Sequence, residues 1–242
     1  MRSVRSFVIG MMVLALGGCG GGKSLSSARS STTSSPGANG SSTTSTTATG
    51  STAKPTVPTV TTRTDTPDGF VALSGPHLVI AVPKEFTPLD PAAPDFTSAL
   101  DKIAAENQTL AASTGQVKQA AADGTFEVFA ADPATGASVQ AYRNPDATSL
   151  SEATSELVKQ LDGLSCTDQS IERIAIGGDE AVRAKCTFNP VNAVGVSGAD
   201  VPFGIALWAI QHGAEQYTVA LGGPASAVTM DAGTIEAGIR FR

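Results

Sequence analysis

The sequence predicts an α+β domain in which an antiparallel β-sheet packs against helices. Short apolar or alternating runs occur in pairs, and each pair is joined by a turn rich in Gly, Pro or Asp. Segments with apolar residues at helical spacing lie between these pairs. Strands that come as hairpins with interspersed helices favour an antiparallel sheet with helices against it.

The first predicted elements are a hairpin and a helix. Residues 70–73 and 78–82 are apolar runs on either side of the turn Ser74-Gly75-Pro76. A proline-containing stretch then leads into residues 96–110, where apolar side chains recur on one helical face. We expect the run Ser113-Thr114-Gly115 to break this helix.

The middle of the domain is predicted to hold two further strand pairs on either side of a second helix. Ser149 and Glu152 form a capping box, which satisfies the first free backbone amides of a helix that extends to about residue 164. The alternation of the last strand of the group turns Cys186 inward, where the end of that helix brings Cys166 against it. The four strands are expected at residues 125–131, 137–143, 171–176 and 180–188.

The last predicted elements are a hairpin and a final helix. Residues 203–210 are apolar on both faces, which predicts a central strand covered on both sides, and residues 216–221 return beside it. A helix is expected from residue 225 to about residue 241. Gly233 and Gly238 weaken its intrinsic propensity, so packing must hold it.

The amino terminus has the order of a secretory leader. Arg2 and Arg5 precede about ten mostly apolar residues, a run too short to span a bilayer. The following Leu16-Gly17-Gly18-Cys19 resembles the bacterial lipobox, which implies cleavage before Cys19 and attachment of diacylglycerol to its thiol. An ordinary leader followed by a chance cysteine is the alternative. Residues 1–18 are therefore interpreted as a lipoprotein signal peptide, with Cys19 anchored at the outer face of the cytoplasmic membrane.

Residues 19–66 are interpreted as the lipidated cysteine and a disordered tether. Ser, Thr, Gly, Ala and Pro dominate this tract, so it cannot bury enough apolar surface to offset its ordering entropy. The Ser and Thr density fits either a plain solvated spacer or a carrier of O-linked sugars. Residues 67–242 then form a single domain, long enough for a core of its own.

The charge of the domain excludes one class of partner. Residues 67–242 carry 10 Lys or Arg and 21 Asp or Glu. Such an acidic domain lacks the basic surface that nucleic-acid binding needs, and anionic lipid would repel it. The membrane is therefore expected to be met through Cys19 alone.

Cys166 and Cys186 are the two cysteines that remain after the lipobox. An even pair in an exported domain predicts a disulfide. A zinc site is the weaker alternative, because neither histidine lies at ligand spacing from a cysteine. A redox dithiol would need a Cys-x-x-Cys spacing, which is absent.

Three segments of the domain resemble the PsbP-like fold. They are the apolar strand ending in Val82-Pro83, the turn at residues 177–182, and the closing Ile239-Arg240-Phe241, with Phe86 as the aromatic soon after Val-Pro. That fold also contains the LpqN/LpqT type of mycobacterial lipoprotein. The resemblance implies a lipid-anchored α/β/α sandwich. The family shares no catalytic machinery, so no catalytic residue is carried over.

The sequence contains no motif of an enzyme, a metal site or a cofactor site. Gly-x-Ser-x-Gly, His-Glu-x-x-His and a phosphate-binding glycine loop are absent. His77 and His212 lie at predicted turns, where an exposed or locally hydrogen-bonded role is expected, and a metal shared between them lacks a third ligand. Trp208 is expected in the core rather than as a stacking platform. Two carboxylate pairs are expected to be solvated: Asp90/Asp95 and Asp179/Glu180.

The leading functional hypothesis is a non-catalytic interaction or ligand-binding module of the cell envelope. Its partner would be an envelope protein or an apolar ligand, and residues 189–201 are the loop suspected of partner contact. The alternative is a carrier of a lipid or another apolar small molecule, held in a cavity between the helix layer and the sheet. An envelope enzyme is the least favoured class. No catalytic, cofactor-binding or metal-ligating residue is assigned.

Overall fold

The computed structural model describes residues 58–62, 65–145, 149–189 and 201–242, without the side chains of residues 108, 109, 112 and 160. The predicted leader, Cys19 and most of the predicted tether lie outside the described residues, as does most of the loop at 189–201. No helix among the described residues is long and apolar enough to cross a membrane.

The described residues form eleven strands and four helices. The strands are β1 (Thr59–Val60), β2 (Phe70–Ser74), β3 (Leu78–Pro83), β4 (Thr87–Leu89), β5 (Phe126–Asp132), β6 (Ala137–Asn144), β7 (Ser170–Ile176), β8 (Asp179–Phe188), β9 (Phe203–His212), β10 (Glu215–Pro224) and β11 (Arg240–Phe241). The helices are α1 (Phe96–Glu106), α2 (Gln108–Ala122), α3 (Leu150–Gly163) and α4 (Ala225–Gly238). The predicted α+β class is confirmed.

Two sheets organise the domain. The large sheet has eight strands in the order β1-β7-β8-β9-β10-β6-β5-β4, and the small sheet has the order β11-β3-β2. All neighbouring strands are antiparallel except β1 and β7, which are parallel. The predicted hairpins are present. They are β2–β3, β5–β6, β7–β8 and β9–β10, and in each of them two consecutive strands pair in antiparallel orientation.

The large sheet is covered on both faces. On one face, β3 and helix α4 pack their apolar side chains against strands that include Trp208 and Val219. On the other face, α3 packs on β8 and β9, whereas α1 and α2 pack on β5 and β6. Every residue of these three apolar clusters lies between Val60 and Phe241. Residues 58–242 thus contain every apolar cluster that the structure describes, and we expect them to fold as an independent unit.

Helix α3 has the predicted start. Ser149 is its N-cap, and the serine hydroxyl accepts the backbone N–H of Glu152 at 3.3 Å. Leu157 and Leu161, one and two turns further along, are fully buried against the sheet. The cap satisfies a free backbone amide, and the apolar stripe packs on the sheet; together they stabilise this helix.

The break between α1 and α2 lies at Asn107, so the predicted break at residues 113–115 is wrong. Asn107 has an extended conformation, and helix α2 continues through the Ser-Thr-Gly run. The hydroxyls of Ser113 and Thr114 donate to carbonyls three residues earlier, at 2.9 and 3.0 Å. These side chains therefore find partners on the helix itself and do not end it.

Helix α4 ends at Gly238, so the predicted continuation to residue 241 is also wrong. A Cβ at Gly238 would lie 2.5 Å from the Cβ of Ala81, so only glycine permits this approach to β3. Beyond it, Arg240 and Phe241 form β11 and pair with β3. Pairing with a distant strand thus overrides the helical pattern of the last residues.

The predicted disulfide is present in the structure. Cys166 and Cys186 are bonded, with their Cα atoms 5.5 Å apart. Cys186 is buried on the face of β8 that packs against α3, and Cys166 follows the end of that helix. The alternation of β8 therefore places Cys186 as predicted.

The folded domain begins before the predicted boundary at residue 67. Thr59 and Val60 form β1, and Ala175 donates its backbone N–H to Pro58 at 2.9 Å. This pairing uses main-chain groups, so the polar composition that predicts a tether does not reveal it. Strands β1 and β4, at the two edges of the large sheet, are the two strands of that sheet that the sequence does not predict.

A buried ion pair joins helix α4 to the large sheet. Glu236 is 5% exposed, and one of its carboxylate oxygens accepts the indole N–H of Trp208 at 2.6 Å. Arg183 Nη1 donates to both carboxylate oxygens at 3.0 Å. Trp208 itself is fully buried in the central strand β9, where the sequence places it. These contacts satisfy a carboxylate that would otherwise be unfavourable inside the core.

Candidate functional site

A cavity of about 380 Å³ lies between the small sheet and one edge of the large sheet. One wall is the end of β2 and the turn after it, at residues 73–76, and another is the end of β4 and the turn after it, at residues 88–92. The start of β5 and the end of α2 complete it. Its lining is mostly apolar and includes Leu73, Leu89, Phe126, Val128 and Phe129. The cavity lies at the edge of the sheet, rather than between the helix layer and the sheet as predicted.

Local sequence features shape the walls of this cavity. The turn between β2 and β3 closes by a hydrogen bond from Gly75 N–H to Leu78 O at 2.8 Å. A Cβ at Gly75 would lie 2.6 Å from the backbone oxygen of Glu127, so the turn approaches β5 because residue 75 is glycine. On the opposite wall, the side chain of Asp90 accepts the Ala92 N–H at 2.9 Å and so fixes the turn after β4.

Glu127 is a buried charge among the residues that line the cavity. Its side chain is only 2% exposed. One carboxylate oxygen lies 2.8 Å from Nδ1 of His77, and the other accepts the backbone N–H of His77 at 3.0 Å. Arg143 Nε lies 3.8 Å from the first oxygen. A histidine and an arginine therefore hold this carboxylate where burial alone would disfavour it.

Arg143 connects Glu127 to a second pair of polar groups. Its Nη1 donates to Glu215 at 2.9 Å, and the Tyr217 hydroxyl donates to the other oxygen of Glu215 at 2.7 Å. The hydrogen bond from Tyr217, followed by that from Arg143, lowers the pKa of Glu215. Burial and then the bond to Glu215 raise the pKa of Tyr217. The contribution of Glu215 to folding is thus complete at neutral pH and is lost as the pH falls through its lowered pKa.

The structure brings both histidines to the ring of Tyr217. The ring centroids of His77 and His212 lie 6.4 and 6.5 Å from that of Tyr217. His212 stacks on Phe241 at 4.2 Å, and its Nδ1 lies 2.8 Å from Asp179. Each histidine therefore has its own carboxylate partner. In the part of the chain that the structure describes, no group of three or more His, Cys, Asp or Glu residues is arranged to hold a metal.

The other predicted site residues are separate from this cavity, with one exception. Asp90 lies in its lining, whereas Asp95 precedes α1 without a side-chain cap bond. Asp179 pairs with His212, and Glu180 is exposed on β8. A second hollow, of about 410 Å³, lies near the start of α4. The two charged residues in its lining are Asp168, which is exposed, and Lys185, which is half-buried, so the lining has no buried charge of this kind.

Sequence reasoning missed Glu127. It stands in the run Phe126-Glu127-Val128-Phe129, and a carboxylate inside an apolar strand was the available signal. Such a charge is rarely buried unless it is paired. Arg143 lies on the neighbouring hairpin strand β6, but His77 comes from 50 residues away in the sequence, so only the fold brings the three residues together.

Comparisons with known proteins give fold-level similarity to solved structures only. No protein-family model matches the chain, and no curated protein matches it. LpqN of Mycobacterium tuberculosis, a protein involved in cell envelope biogenesis, aligns with a TM-score of 0.41 and 12% identity, over 71% of this chain and 91% of LpqN. A Bacteroides thetaiotaomicron protein aligns with a TM-score of 0.38 and 11% identity, over 68% of this chain. The alignment spans 45% of the Bacteroides chain, less than half its length.

Similarity at this level shows no family, and no functional residue is transferred from it. The predicted PsbP-like assignment and the predicted lipoprotein status therefore stay predictions.

Proposed function

We propose that this protein is an exported, lipid-anchored module of the cell envelope that binds an apolar small molecule without catalysing a reaction. The cavity between the small sheet and the β4–β5 edge carries this proposal. Its volume lies in the range of small-molecule sites, and an apolar lining with a few fixed polar groups is typical of such sites. A ligand of this kind would cover the lining residues that are half-buried or exposed, among them Leu73, Leu89 and Ala92.

The disulfide supports the exported location. Structural disulfides form and persist outside the reducing cytosol, and this one closes the end of α3 onto β8. The leader and Cys19 support anchoring of the chain at the outer face of the cytoplasmic membrane. Metabolic labelling with a palmitate analogue tests the anchor. Label should enter the wild-type chain and be absent from the Cys19→Ser variant, and equal labelling of both would refute it.

Native mass spectrometry of residues 58–242, produced in an oxidising compartment and purified without detergent, tests ligand binding. We expect a mass excess that disappears on solvent extraction. Ala92→Trp should abolish it, because Ala92 is an exposed residue of the lining and a large side chain there fills the cavity. Ala111→Trp, at an exposed position of α2 away from the lining, is the matched control. A bare wild-type mass, or an excess that Ala92→Trp leaves unchanged, would contradict binding in this cavity.

A further inference from the structure

The charged groups in the cavity lining have one sign. Glu127 and Asp90 are the two carboxylates among the residues that line it, and that lining contains no Lys, Arg or His. The two differ in exposure: Glu127 is buried, and Asp90 is exposed. A ligand in the cavity therefore lies near one buried and one exposed carboxylate.

The Glu127 carboxylate lies next to the cavity lining, in surroundings that water reaches little. A Cβ on Gly75 would lie 3.0 Å from one of its carboxylate oxygens, so the carboxylate directly adjoins another lining residue. With its side chain 2% exposed, water screens the charge little. Charge–charge interactions are stronger in such surroundings than in bulk water.

Two groups that can carry positive charge, His77 and Arg143, lie beside these carboxylates, and Nδ1 of His77 is the nearer to Glu127, at 2.8 Å. Arg143 contacts Glu127 at 3.8 Å, but its closer contact is with Glu215 at 2.9 Å, so one guanidinium serves two carboxylates. Asp90 bonds to the main-chain N–H of Ala92, a contact that leaves its charge in place. Three carboxylates (Asp90, Glu127 and Glu215) thus stand against Arg143 and His77, so the sum of charges beside the cavity stays negative even when His77 is counted as a cation.

We infer that the cavity selects for amphiphiles with a cationic head group and disfavours fatty acids and other anionic lipids. The inference rests on the proposed ligand-binding function and names the ligand class for the same site. The apolar walls hold the tail, and the fields of Asp90 and Glu127 attract the head. Opposite charges at the site contribute to selectivity as well as to affinity.

Isothermal titration calorimetry of residues 58–242 at low ionic strength tests this inference with three probes of equal chain length. Octyltrimethylammonium should bind at least tenfold more tightly than octanoate, with 1-octanol in between. Glu127→Gln should reduce the ratio between the two ions to threefold or less. Glu156→Gln, on α3 away from the cavity, is the matched control and should leave the ratio unchanged.

The outcomes separate this inference from the proposed function. Binding of octanol with equal or tighter binding of octanoate would overturn the charge selectivity and leave ligand binding intact. Failure of all three probes to bind would overturn both. If Glu127→Gln does not fold, Asp90→Asn replaces it, because this exposed carboxylate is not part of the core. That variant should lower the ratio at least threefold, and an unchanged ratio would refute the inference.

Discussion

Removal of the Glu236 carboxylate should be among the most destabilising single changes in this domain. In Glu236→Leu, Arg183 loses two hydrogen bonds of 3.0 Å, and the buried indole N–H of Trp208 loses its 2.6 Å acceptor. The side chain of Arg183 is 22% exposed, so water compensates only in part. Removing one member of a buried pair costs roughly 3–5 kcal/mol, and we expect the lower end of this range because Arg183 keeps its 2.6 Å contact with Glu172.

The pKa of Arg183 supports the strength of this network. Burial alone would lower that pKa, but the hydrogen bonds to Glu172 and Glu236 outweigh burial and raise it. An arginine guanidinium is charged at neutral pH, so Arg183 keeps its charge when the Glu236 carboxylate is removed. Its charge, in a largely buried position, is the main source of the expected loss.

Urea unfolding of residues 58–242 measures the effect, and linear extrapolation gives the free energy of unfolding. Glu172→Gln is the control, because its carboxylate is 48% exposed and an exposed ion pair contributes about 0–1 kcal/mol. The double variant Arg183→Met/Glu236→Leu removes both charges and should recover most of the loss. A loss of less than about 1 kcal/mol for Glu236→Leu alone would refute the reasoning.

Three further changes test the packing and the caps. Reduction of the Cys166–Cys186 bond should lower the free energy of unfolding by about 3 kcal/mol, since it frees a loop of roughly 20 residues; equal urea midpoints with and without reductant would contradict this. Gly238→Ala should cost about 1–3 kcal/mol through its clash with β3. Gly233 lies in the same helix, and a Cβ there would have no atom within 4 Å, so Gly233→Ala should instead stabilise the domain by about 0.5–1 kcal/mol. Thermal melts in which both variants shift the melting temperature in the same direction would rule out the clash. Ser149→Ala removes the α3 cap and should cost about 1 kcal/mol in urea unfolding, whereas an unchanged midpoint would show that the cap is dispensable.

The elements that the sequence predicts correctly are those determined by neighbours in the chain. The capping box at Ser149 marks the start of α3, and the alternation of β8 identifies the face that carries Cys186. Turn residues such as Gly177 and Gly178, both at positive φ, mark the hairpin between β7 and β8. In each case the determining contact lies within a few residues.

The elements that the sequence misses depend on distant partners. Strands β1, β4 and β11 are two or three residues long and exist because each pairs with a strand elsewhere in the chain. A strand of two or three residues is too short to show an alternation of apolar and polar side chains. The candidate site has the same dependence, since His77 reaches Glu127 across 50 residues of sequence and Arg143 joins Glu215 across 72. Polar residues of this kind can be identified individually in the sequence, but their association cannot.

The order of strands in the large sheet separates the chain's entry from the cavity. Strand β1, where the described domain begins, forms one edge, and β4, which borders the cavity, forms the other. Seven interstrand spacings of about 4.8 Å separate the two edges, roughly 34 Å in total. A pulling force applied through the amino-terminal chain would therefore act first on the two-residue pairing of β1. That pairing lies at the edge opposite the cavity, so its loss would leave the pairing of β4 with β5 in place.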